Sequence, residues 1–167
     1  QKLRTAQRVA ARDPFFAGNV DALIAAQPKD LEASEIEVRL GATWLDKKYI
    51  EQFMYETFET PRYLRGQIEI SYVPYTAEWQ VSRKSMVRYN DVAAFTTYGT
   101  DRASAYRLLE DALNLRDIRI YDTIEDADGR ERRVLNAKET TLAAQKQQLI
   151  RDAFKDWIWK DPERRET

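Results

Sequence analysis

The order in which apolar periodicity changes along this chain narrows its architecture more than any other feature. Ile50, Phe53, Met54 and Phe58 recur at the three-and-four spacing of one helix face. Asp46 is placed to cap that helix, Trp44 and Leu45 to pack at its start, and Pro61 to stop it. From Gln67 the period drops to two: Ile68, Ile70 and Tyr72 alternate with Glu69, Ser71 and Val73. After Pro74-Tyr75-Thr76-Ala77 comes Glu78-Trp79-Gln80-Val81-Ser82, and the pair predicts an antiparallel hairpin. The helical period returns in Ala105, Leu108, Leu109, Ala112 and Leu113, with Thr100 or Asp101 as the expected cap. A second hairpin is expected from strands near Ile118–Ile124 and Glu131–Leu135, joined by Asp126-Ala127-Asp128-Gly129, whose Asp-Gly step favours a tight turn. A final helix from about Ala137 to Trp159 is expected to bury Leu142, Leu149, Ile150, Ala153, Phe154, Trp157 and Ile158. Strand, helix and strand never alternate as a parallel crossover requires, so the expected class is α+β: several helices packed with two antiparallel β-hairpins and a long C-terminal helix.

Upstream, Lys2 to Arg12 reads as a charged helical lead that Pro14 interrupts. Asn19 or Asp21 could cap a short helix carrying Val20, Leu23 and Ile24 that ends before Pro28. Ser34 could cap a turn or two bearing Ile36, Val38 and Leu40, closed by Gly41. The chain holds no repeat, low-complexity tract or Gly/Ser/Pro linker, so the expected organisation is a helical lead-in over 1–30 and one α+β module over 31–167. A start of QKLRTAQRVAARDPFF and a finish of DPERRET read as the ends of a fragment of a larger multidomain protein.

Composition removes most chemistry. A chain of 167 residues, 43% hydrophobic, can fill one core. Its charged share of 33%, with five Gly and five Pro, suits long solvated helices. There is no Cys and no His, so the chain itself offers no disulfide, thiolate nucleophile, imidazole base or Cys/His zinc site. The five glycines are too scattered for a dinucleotide or phosphate loop, and no zincin, nucleophile-elbow or EF-hand string occurs. The densest acidic group, Asp122, Glu125, Asp126 and Asp128, surrounds the second hairpin turn, where Asp is favoured for its own backbone reasons. No catalytic and no metal-ligating residue is therefore expected, and no apolar run is long enough to span a membrane.

A net charge of −1 gives the whole chain no field for nucleic acid. Locally the balance differs. Between Thr60 and Arg107 seven basic residues (Arg62, Arg65, Arg83, Lys84, Arg88, Arg102, Arg107) stand against four acidic ones (Glu69, Glu78, Asp91, Asp101), interleaved with Tyr63, Tyr72, Tyr75, Trp79, Tyr89, Tyr98 and Tyr106. Cations neutralise phosphates and ring faces stack on bases, so this mixture suits a nucleic-acid surface. The candidate DNA-binding residues are Arg62, Arg65, Tyr75, Trp79, Arg83, Lys84, Arg88 and Arg102. The alternative is equally physical: Tyr72 and Trp79 fall where a hairpin places its core face, and Arg on a strand is ordinary solubility chemistry. Trp157 and Trp159 cannot share a helix face, so at least one of them is expected either to pack on a segment outside the chain or to stay partly exposed.

The strings EVRLGATWLDKKYIEQFMYETFETPRYLRG, ISYVPYTAEWQVSRKS, YNDVAAFTTYGTDRASAYRLLEDALNLRDIRIYD and KETTLAAQKQQLIRDAFKDWIWKDPERR resemble the region preceding the helicase motor of large bacterial mobile-element proteins. Those proteins join an adenine DNA methyltransferase to a Swi/Snf-type superfamily-two helicase. The resemblance covers about residues 19 to 167 and implies a cytoplasmic parent that uses S-adenosylmethionine and ATP. Asp13-Pro14-Phe15 and Val73-Pro74-Tyr75 are poor imitations of the Asn-Pro-Pro-Tyr-like methyltransferase tetrad, and the Gly-Lys-Thr loop of the motor is absent. What is implied is a non-catalytic accessory module without a cofactor of its own. It would touch DNA weakly and without sequence preference, or couple the methyltransferase and helicase domains of the same chain. The other reading is a structural spacer without DNA contact.

Overall fold

Asp46, in extended backbone, accepts a hydrogen bond from the Lys48 amide (3.0 Å) and opens α1, Lys47–Thr57. The computed structural model describes residues 38–161 together with Thr5, Val20 and Arg164. The chain divides into two compact units, 1–37 and 38–167. In the first, Thr5 and Val20 are helical. The remaining features expected there, the charged lead, the short helix with Leu23 and Ile24 and the Ser34 cap, lie outside the described residues.

In the second unit β1 (Ile70–Val73) and β2 (Glu78–Val81) form one antiparallel hairpin, and β3 (Tyr121–Glu125) and β4 (Glu131–Leu135) form another. Between them lie a 3-10 turn, Lys84–Met86, a π-helix, Ala93–Thr97, and α2, Ala105–Leu113. The chain continues into α3, Ala137–Trp159, with Asn136 as its cap. The class is α+β with a long C-terminal helix.

Several details depart from expectation. α1 ends four residues before Pro61 because Glu59 takes a left-handed conformation (φ 50°). Trp44 is 57% exposed while Leu45 is buried. The cap of α2 is Ser104; Thr100 Oγ1 instead accepts from the Arg102 and Ala103 amides and shapes the turn before it. The second hairpin, by contrast, turns where the Asp-Gly step was expected to turn it: Gly129 takes φ 73°, its amide donates to the Asp126 carbonyl, and the Asp126 amide donates to the Arg130 carbonyl. Leu142 and Leu149 remain exposed on α3, whose buried face is Ala143, Gln147, Ile150, Phe154, Trp157 and Ile158.

The core is continuous across these elements. Phe53 of α1 meets Phe154 and Trp157 of α3 edge-on at 5.1 and 5.8 Å, and Phe58 meets Tyr106 of α2 at 5.3 Å. Each fully buried aromatic of this kind contributes roughly 2 kcal/mol of transfer free energy. Trp157 packs within the chain, its indole N–H donating to Glu56 at 2.6 Å, and Trp159 is half-buried against the same core. The backbone leaving the π-helix passes so close that a Cβ on Gly99 would fall on the Ala94 carbonyl oxygen.

Candidate nucleic-acid interface

Alternation in the first hairpin settles the fate of its aromatics. The register pairs Ile70 with Val81 and Tyr72 with Trp79, and on that face Ile70, Val81 and Trp79 are buried. Trp79 is only 5% exposed, its ring 5.1 Å from that of Tyr72, so it is a core residue and not a free stacking platform. The opposite face carries Ser71, Gln80, Val73 and Glu78, none of them basic. Tyr75, in the turn, is 97% exposed.

The candidate cations separate into two sets. Arg65 donates through Nε to the Thr60 carbonyl (2.9 Å) and through Nη2 to the Tyr55 carbonyl (3.5 Å), satisfying backbone acceptors left at the end of α1. Arg102 donates to Asp122 Oδ1 (2.7 Å) and to the Tyr121 carbonyl (2.9 Å), tying the approach to α2 to β3. That partner and the Asn136 amide hold the Asp122 carboxyl below the usual carboxylate range. Lys84 is ion-paired with Glu110 of α2. By contrast Arg62, Arg83 and Arg88 are exposed and, among the described residues, have no ion-pair partner. Arg83 sits in the left-handed region at φ 49°, turning the chain sharply out of β2.

The segment after Arg83 helps to line a cleft of about 400 Å³. Lys84, Ser85 and Tyr89 of that segment are in its lining together with Arg102 and Ser104, just before α2, and Arg107 in the first turn of α2. Tyr89 is 85% exposed and its ring lies 5.2 Å from that of Phe95, which the π-helix carries. Three carboxylates, Asp101, Glu110 and Asp111, complete the lining and balance its three cations. Burial pushes the Asp111 carboxyl up from its ordinary value against the opposing pull of Arg107 and Arg116.

Two of the eight sequence candidates, Lys84 and Arg102, therefore reach one cleft; Arg62, Arg65, Tyr75, Trp79, Arg83 and Arg88 are not among its lining residues. Sequence reasoning counted Tyr89 among the interleaved rings without selecting it as a candidate, and missed Phe95 and Asp111. The available signal was Arg88-Tyr89 standing five residues after Arg83-Lys84, a basic and aromatic pairing without regular period. Among the described residues, no helix is long and apolar enough to cross a membrane.

No curated protein and no solved structure matches the chain. A family model does, over residues 39–167. With that match running through both hairpins, the cleft and the long C-terminal helix, the chain belongs to the family described as Domain of unknown function (DUF8437).

Proposed function

We propose that the chain is a non-catalytic accessory module of a large bacterial mobile-element protein, and that it contacts DNA weakly and without sequence preference. The resemblance of its long strings supports the parent, a cytoplasmic adenine DNA methyltransferase joined to a Swi/Snf-type helicase. In this reading S-adenosylmethionine and ATP serve those neighbouring domains, and the module helps to hold DNA between them. One observation carries the DNA contact: Arg83 and Arg88 are exposed without ion-pair partners among the described residues, on the same short segment as the exposed ring of Tyr89. Arginines without an ion pair can neutralise phosphates, releasing the cations condensed on the DNA, without first breaking an internal salt bridge.

Fluorescence anisotropy on labelled oligonucleotides at low salt tests this. Binding is expected at roughly micromolar Kd or weaker at physiological salt. Replacing Arg62, Arg83 and Arg88 together by Ala should weaken it for all sequences alike. Each lost phosphate contact should flatten the salt slope by about one unit. Lys84 is left in place because its loss would strand Glu110.

The burial of Trp79 and the internal bonds of Arg65, Lys84 and Arg102 favour a second reading, a structural spacer between domains. Absence of binding to both single-stranded and duplex DNA at low salt selects it.

A further inference from the structure

We infer that the cleft beside Tyr89 receives one unpaired nucleotide of single-stranded DNA, so that the module prefers single strands to duplex. This rests on the reading that the module contacts DNA, and goes further by naming the form of DNA and the residue that selects it.

The cleft combines what an unstacked nucleotide offers. An exposed aromatic face, Tyr89 backed by Phe95 at 5.2 Å, can take a base ring, and every base has such a face. Arg107, also in the lining, uses Nη1 for one 3.3 Å bond to the Arg102 carbonyl, leaving further donors for a phosphate. Asp101, exposed at the rim, can accept from an exocyclic base amine. The volume of about 400 Å³ lies in the range of small-ligand sites and admits one nucleotide, not a base pair with its backbones.

The lining carries as many carboxylates as cations, so it offers little net charge to the phosphates of either form. Stacking with a few hydrogen bonds is then the interaction that such walls can supply. Inside a duplex the base face is already stacked and cannot reach Tyr89. Outside the cleft, Arg83 and Arg88 are free to follow the backbone of either form.

The test compares a labelled single strand of about twelve nucleotides with the duplex of the same sequence, using the full chain. The parent should bind the single strand several-fold more tightly. Tyr89→Ala should weaken single-strand binding by about tenfold, the cost of losing one stacked base, and leave duplex binding unchanged. A strand with abasic sites, which keeps its phosphates and lacks rings, should bind the parent as weakly as the normal strand binds Tyr89→Ala. The double variant Arg83→Ala/Arg88→Ala should weaken both forms together. An unchanged circular-dichroism melt of Tyr89→Ala would show that the fold is retained, as the exposure of the ring implies. If Tyr89→Ala binds single strands like the parent while the arginine variant weakens both forms, the nucleotide site is refuted and the DNA contact stands. Failure of every oligonucleotide to bind refutes both.

Discussion

Tyr106 has no exposed surface, and its hydroxyl lies 2.6 Å from that of Thr60. Burial raises its pKa to about 12, although the Thr60 hydrogen bond pulls the other way. The consequence is alkaline sensitivity with a definite sign. Between pH 10 and about 12 the unfolded chain has released a proton that the folded chain still holds, so stability falls as pH rises, by up to about 1.4 kcal/mol per pH unit from this group. Below the unfolded value the contribution is intact. Urea titrations at pH 8, 10 and 11 should show the parent losing stability faster than Tyr106→Phe. A smaller slope should remain in the variant because burial also raises Tyr55. Equal slopes for the two proteins would contradict this account.

The two hairpins show how differently the same element can be held. The outer edge of β2 is met by Glu110 of α2 and by Asn114, the residue that caps the C-terminus of α2: Asn114 accepts from the Trp79 amide and donates to the Trp79 carbonyl, each at 2.8 Å, and Glu110 accepts from the Val81 amide at 2.7 Å. On the other edge Glu51 and Tyr55 of α1, one turn apart, bond the Ile70 amide and the Ile68 carbonyl at 2.9 and 2.7 Å. Side chains thus do for both edges what neighbouring strands would do in a wider sheet. Asn114→Ala leaves two partly buried backbone groups of Trp79 without partners and should cost about 1–3 kcal/mol, read as a lower urea midpoint with an unchanged m-value. In the hairpin of β3 and β4 nearly every residue of both strands is exposed, and the hairpin is anchored at its root, where Arg102 bonds the Tyr121 carbonyl and Asp122, and Asn136 bonds Asp122. Its alternation and Asp-Gly signal were legible from the sequence, because turn chemistry is local. Its exposure was not, because that depends on which other elements approach it.

At the scale of the molecule one apolar cluster links α1, the first hairpin, α2 and α3, and among the described residues its members belong to the unit 38–167. A chain beginning at Val38 is accordingly expected to unfold in one cooperative transition, with circular dichroism and tryptophan fluorescence superimposing; separate midpoints would divide the core into independent parts. The apolar stripes of α1 and α2, the register faces of the first hairpin and the bounds of α3 could all be read from spacing, because period reports which side of an element must leave water and needs only neighbours within a few residues. Charge and ring placement were not legible in that way. Arg102 finds Asp122 twenty residues on, Lys84 finds Glu110 twenty-six on, Trp79 is enclosed by a helix holding Asn114, and Trp157 bonds Glu56 across 101 positions. Whether an arginine is free for phosphate or held by a carboxylate, and whether a ring is a surface or a core, depends on partners that distant segments bring. Local pattern therefore dictated the elements and their apolar faces, while long-range packing decided which of the basic and aromatic residues stay exposed, Arg62, Tyr75, Arg83, Arg88 and Tyr89 among them.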